Sequence, residues 1–234
     1  MYSGTRKLAR QLGIAGPVGC IDGSYIADCK SHLALASVSL PGECLGAVLQ
    51  TVGRRDLKTY VFANDCLHYD DAGRDYASFM SAWSTELVRV ESVLDLARWD
   101  GRACVHGLAC LGPRSAVELA VEGVRACGGA LVQVFGFPLP HDPELRTWGM
   151  IVRGARATKA TAMEWIAAHH GLALEQTVAI GDWLNDIPML KAAGRSFAMA
   201  QAEDVVKAAA SDVLEADDIR GGALYEAARR AGLL

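Results

Sequence analysis

The chain has 234 residues, 51% of them hydrophobic and 21% charged, with a net charge of -4. That composition supports one or two globular domains with a real core and excludes a disordered chain. Mild acidity without a basic stripe excludes a surface that tracks nucleic acid, and no apolar run approaches the ~20 residues of a membrane span.

The elements follow in chain order. Residues 3–13 read as an amphipathic helix, with Leu8 and Leu12 on one side and Arg6, Lys7 and Arg10 on the other. No apolar h-region interrupts this start, so it is not read as a signal peptide. Val18 to Ile26 reads as a strand and turn, with Asp22-Gly23 at the turn. A helix at 42–53 follows Pro41, and strands at 58–63 and 66–70 form a hairpin. Residues 76–92 are helix or loop. Strands near 103–110 and 131–136 bracket a helix at 113–127, opened by Pro113 and closed by Gly128-Gly129. A strand at 148–153 comes next.

From there helices and short apolar strands alternate: helix 158–170, strand 177–181, helix 186–193, strand 195–199, helix 203–209, strand 212–214 and helix 221–231. Such alternation argues a parallel, doubly wound α/β sheet. The middle of the chain, richer in hairpins, reads as an inserted α+β domain. The expected division is 1–38 and 148–234 for the α/β core, with 39–147 as the insertion.

Seven cysteines, an odd number with no Cys-x-x-Cys spacing, speak against a disulfide framework and for a reducing cytoplasm. Cys104, His106 and Cys110 lie near one another in sequence but match no common zinc spacing, and buried strand residues are the plainer reading.

The string Val178-Ala179-Ile180-Gly181-Asp182-Trp183-Leu184-Asn185-Asp186 carries the chemistry. In open α/β sheets, ligands bind beyond the carboxyl ends of the strands, which is where Asp182 falls. Asp182 and Asp186 are hard oxygen donors on a strand-to-helix loop and suit Mg²⁺, while the Asn185 amide can donate to a phosphate oxygen. Taken singly, Asp182 reads equally as a turn residue and Asp186 as a helix N-cap. Lys159 sits at the start of helix 158–170, where a cation opposes the helix dipole; an anion held between the two removes the conflict.

These residues carry a resemblance. Thr158-Lys159-Ala160, Gly181 to Asp186, Phe197-Ala198-Met199-Ala200 with Ala202, and Asp218 to Gly222 resemble the C-terminal half of the haloacid dehalogenase-like phosphatases, nearest their Cof-type, class IIB branch. The resemblance implies an inserted cap domain over the α/β core and hydrolysis of a small phosphorylated metabolite, with sugar phosphates foremost. It also implies Mg²⁺ on Asp182, support of the metal by Asp186, and phosphate held by Lys159 and Asn185. Ala160 stands where the family usually has Gly, and Trp183 and Leu184 are bulkier than usual.

The family's reaction opens with an Asp that attacks phosphorus, in an Asp-x-Asp-Gly-Thr pattern after the first central strand. No such nucleophile is found in the chain. Cys20-Ile21-Asp22-Gly23-Ser24 comes nearest and would put a thiol in its place. The expectation is that a segment with the first core strands and the nucleophile precedes Met1. The chain by itself would then be nearly inactive and poorly stable, with unpaired backbone groups each costing about 1–3 kcal/mol along the 177–181 strand. The rival expectation is a non-catalytic remnant that binds Mg²⁺ and phosphate.

Overall fold

The computed structural model describes residues 1–99, 104–139, 146–217, 219 and 221–234. Contacts divide it into two compact units, Met1–Ala157 and Thr158–Leu234.

The first unit runs α1 (Tyr2–Gln11), β1 (Pro17–Cys20), β2 (Tyr25–Asp28), β3 (Ala34–Ser37), α2 (Gly42–Gly53), β4 (Lys58–Ala63), β5 (Cys66–Tyr69), α3 (Ala77–Met80), β6 (Leu87–Arg89), α4 (Leu96–Trp99), β7 (Val105–Pro113), α5 (Arg114–Gly128), β8 (Val132–Pro138) and β9 (Thr147–Gly154). β1, β2 and β3 form a small antiparallel sheet. The turn at Asp22-Gly23 joins β1 to β2, with Ile21 and Asp22 both left-handed (φ 53° and 50°). The larger sheet has the order β6-β5-β4-β7-β9-β8. It is antiparallel except where β6 joins β5.

Both faces of that sheet are covered, and the alternation of its strands shows why. Val61, Ala63, Leu108, Cys110, Met150 and Val152 pack on one side against Val48, Leu49 and Val52 of α2 and Val117, Ala120 and Val124 of α5. The intervening residues Tyr60, Phe62, Ala109, Leu111 and Ile151 join Tyr2, Ile21 and Met80 in a second core. Successive strand residues face opposite ways, so a strand buried on both faces is apolar throughout.

Two expected boundaries change. The strand expected at 148–153 in the α/β core is β9, which pairs with β7 from Gly107↔Arg153 to Pro113↔Thr147 and with β8 from Val132↔Gly154 to Pro138↔Trp148. It therefore belongs to the six-stranded sheet, and the division falls after Ala157. Residues 1–38 also group with this first unit. The stretch 76–92, expected as helix or loop, contains both a helical turn and a strand, α3 and β6.

The second unit runs α6 (Lys159–His169), β10 (Val178–Gly181), α7 (Ile187–Ala192), β11 (Arg195–Ala198), α8 (Asp204–Lys207), β12 (Asp212–Val213) and α9 (Ala223–Arg230). Its three strands are parallel in the order β10-β11-β12. Ala179 and Ala198 face Met163 of α6, Leu190 of α7 and Val206 of α8, whereas Ile180 and Phe197 face Ala227 of α9. Helices thus cover both faces, the doubly wound arrangement that the alternation predicts. Among the described residues β10 pairs with β11 alone. No helix among them is long and apolar enough to cross a membrane.

Candidate active site

The candidate site lies in the second unit, where β10 ends. Gly181 closes the strand, and a tight turn at Leu184–Asp186 leads into α7 with Pro188 in its first turn. Asp186 is 2% exposed and organises this turn. Its Oδ2 accepts hydrogen bonds from the backbone N–H groups of Asp182 and Trp183, both at 3.0 Å. Its Oδ1 accepts from Lys159 Nζ at 2.5 Å. Gly181 is required by this packing, since a Cβ there would lie 2.5 Å from Asp186 Cβ and 2.8 Å from its Cγ.

Lys159 is the first residue of α6, behind the N-cap Thr158, whose hydroxyl accepts from Thr161 N–H in a capping box. A cation at a helix start calls for an anion to offset the helix dipole. The structure answers with Asp186, a carboxylate of the same unit. An ammonium has three N–H donors; Asp186 takes one, and the side chain remains about one-third exposed.

Asp182 is half-buried, with its backbone fixed by Asp186 and its Oδ2 accepting from Gln201 Nε2 at 3.1 Å. Asn185 lies in the same turn, also half-buried. Asp182, Asp186 and Lys159 are thus joined by direct hydrogen bonds, and Asn185 is held beside them by the chain. Both oxygens of Asp186 are engaged within the protein, where they hold Lys159 and the loop. Asp182 is the carboxylate left to face outward. Gln201 was missed; the signal available was a polar residue just beyond an apolar strand, in Met199-Ala200-Gln201-Ala202.

The donor set permits a test of the implied metal. One outward carboxylate oxygen suits Mg²⁺, which binds through one or two carboxylates and keeps several waters. It does not suit a closed zinc cage, and among the described residues no group of three or more His, Cys, Asp or Glu could hold a metal. Cys104 Sγ does approach His106 Nδ1 at 3.9 Å, but Cys110 is fully buried against Thr59, with its thiol pushed up to about 12 by burial.

The alternative nucleophile does not fit. Cys20 is buried, and desolvation raises its thiol above the ordinary range, which keeps it protonated and inert. Asp22 pairs instead with the buried Arg153 at 2.9 Å, and Ser24 Oγ donates to His106 O. Asp218 of the resemblance lies outside the described residues.

Residues 150–225 match the profile of a family described as haloacid dehalogenase-like hydrolase. The chain is 24% identical over 211 residues to the pyridoxal phosphate phosphatase YbhA of Escherichia coli, covering 87% of this chain and 73% of that one. A haloacid dehalogenase-like hydrolase from Bacteroides thetaiotaomicron superposes with a TM-score of 0.78 at 20% identity, over 99% of this chain and 83% of that one. The subclass IIB sugar phosphatase BT4131 superposes with a TM-score of 0.74 at 17% identity, over 97% and 80%.

Proposed function

We propose that the chain, whose residues 150–225 match the haloacid dehalogenase-like hydrolase family and whose fold is shared with solved structures of that kind, is a Mg²⁺-dependent phosphomonoester hydrolase of small phosphorylated metabolites. One observation carries the reading: a buried carboxylate, Asp186, ties the ammonium of Lys159 and the backbone under Asp182 into one cluster at the end of β10. The cluster offers a negative oxygen beside a positive donor, the pairing that a phosphate ester with its counter-cation requires.

In this reading Lys159 keeps one N–H on Asp186 and gives the others to phosphate oxygens. Asn185 adds its amide to the same oxygens. Asp182 holds the cation, which when bound offsets charge that develops on the phosphoryl group. Asp186 positions Lys159 and Asp182 without touching substrate. Choice of substrate falls to the α+β unit as a cap. Sugar phosphates lead the candidate substrates, supported by the named activity of BT4131; the YbhA name keeps other small phosphate esters in view. Seven free cysteines, three of them buried, agree with a reducing compartment such as the cytoplasm.

The nucleophile is a separate matter. The 234 residues contain no Asp-x-Asp pair. That favours, for these residues by themselves, binding of Mg²⁺ and phosphate over rapid turnover; losing a covalent nucleophile costs about 10⁶-fold in a hydrolase. The test combines calorimetric titration of Mg²⁺ and inorganic phosphate with phosphate release from a panel of phosphate monoesters. Mg²⁺-dependent phosphate binding that is lost in Asp182→Asn and Lys159→Met supports the site. Turnover abolished by Asp182→Asn makes the chain an enzyme by itself. Absence of binding and turnover alike, or indifference of both to Asp182→Asn, overturns the proposal.

A further inference from the structure

We propose that Gln201 is a positioning residue for Asp182, fixing its carboxylate so that one oxygen is presented to a divalent cation; the inference rests on the reading of Asp182 as the metal-holding group. The turn that carries Gln201 is pinned on two sides. Met199 N–H donates to Gly181 O at 3.0 Å, which ties the turn after β11 to the end of β10. Ala200 N–H donates to Ala216 O at 3.1 Å, and Ala202 N–H to Met199 O at 3.0 Å. The tip between these bonds is Gln201, whose Nε2 lies 3.1 Å from Asp182 Oδ2 and 3.8 Å from Met199 Sδ.

The chemistry of the contact is specific. An ionised carboxylate only accepts, so the Gln201 atom facing it is the NH₂ donor. Asp186 fixes the Asp182 backbone and Gln201 fixes its side chain; together they set the direction of Oδ1, which neither bond uses. The amide is neutral. It orients the carboxylate without cancelling the charge that attracts a cation, whereas a lysine in its place would compete with that cation. Partners that orient a metal-binding group in this way are worth about 10- to 100-fold in affinity.

The side chain is exposed, so its removal should leave the fold intact. The experiment titrates Mg²⁺ into wild type, Gln201→Ala, Gln201→Lys and Asp182→Asn by calorimetry, with thermal melts in EDTA alongside. We expect Gln201→Ala to weaken Mg²⁺ binding about tenfold, at the low end for such partners, and Gln201→Lys to weaken it further, with melts in EDTA unchanged. If Gln201→Ala binds Mg²⁺ as wild type does while Asp182→Asn does not, the inference fails and the site stands. If Asp182→Asn binds Mg²⁺ as wild type does, or wild type binds none, the reading of Asp182 fails and the inference with it. A fall in the EDTA melting point of Gln201→Ala would make the residue structural and overturn the positioning role.

Discussion

Replacing Asp186 with alanine removes the acceptor for three donors at once: Lys159 Nζ and the backbone N–H groups of Asp182 and Trp183. Hydrogen bonds to a charged group contribute about 1.5–3 kcal/mol each, and breaking a buried ion pair on one side costs about 3–5 kcal/mol. These figures overlap and do not add. Lys159 is about one-third exposed and regains water once released, so its share is discounted. The two backbone donors stay in a partly buried turn, and the expected loss is about 3 kcal/mol in total. Urea unfolding followed by circular dichroism measures it as a lower midpoint at unchanged slope. Asp186→Asn keeps the shape and one acceptor oxygen and should lose less. Lys159→Met in the Asp186→Ala background should add little, because the partner is already gone. A loss below about 1 kcal/mol for Asp186→Ala would refute the argument, since that is the value of one ordinary neutral hydrogen bond.

Gly181→Ala tests the same turn from the opposite side. Its Cβ must displace Asp186, so Mg²⁺ and phosphate binding should fall together with stability, by about 1–3 kcal/mol for overpacking; retention of both in calorimetry and urea unfolding would contradict the packing. Two histidines set a pH dependence in the first unit. Burial holds His106 and His68 below their ordinary range in the folded chain. The unfolded chain therefore binds more protons as pH drops, and the stability present above about 6.5 is lost as pH falls through and below that value. Unfolding midpoints measured from pH 8 to pH 5 should decline toward acid, and His106→Asn should flatten the decline.

What the sequence disclosed was local. The helix start at 158, the strand end at Gly181 and the string through Asp186 each depend on residues a few positions apart, and the helices at 42–53 and 114–128 follow from their own periodicity and breakers. Pairing is not local. The run 148–152 is apolar whether it joins a parallel core or an antiparallel sheet, and only its register with β7 and β8 decides. The strand β3, four residues long and mostly exposed, is too brief to show a period.

Asp186 carries that lesson into the site. An N-cap, a metal ligand and the partner of a lysine are all served by one Asp in the sequence. They are told apart only by what faces the two oxygens, and here those are a lysine 27 positions earlier and the backbone of its own loop. Gln201 was hidden for the same reason: its partner lies 19 residues upstream, across two parallel strands whose ends are brought level by the pairing of Gly181 with Ala198. The outward carboxylate is therefore fixed by two residues on either side of it in the fold. A metal-binding role for Asp182 then predicts that affinity responds to both Asp186 and Gln201 but unfolding chiefly to Asp186, because one is buried and the other exposed. Equal effects of the two on stability would mean that the cluster serves the fold alone.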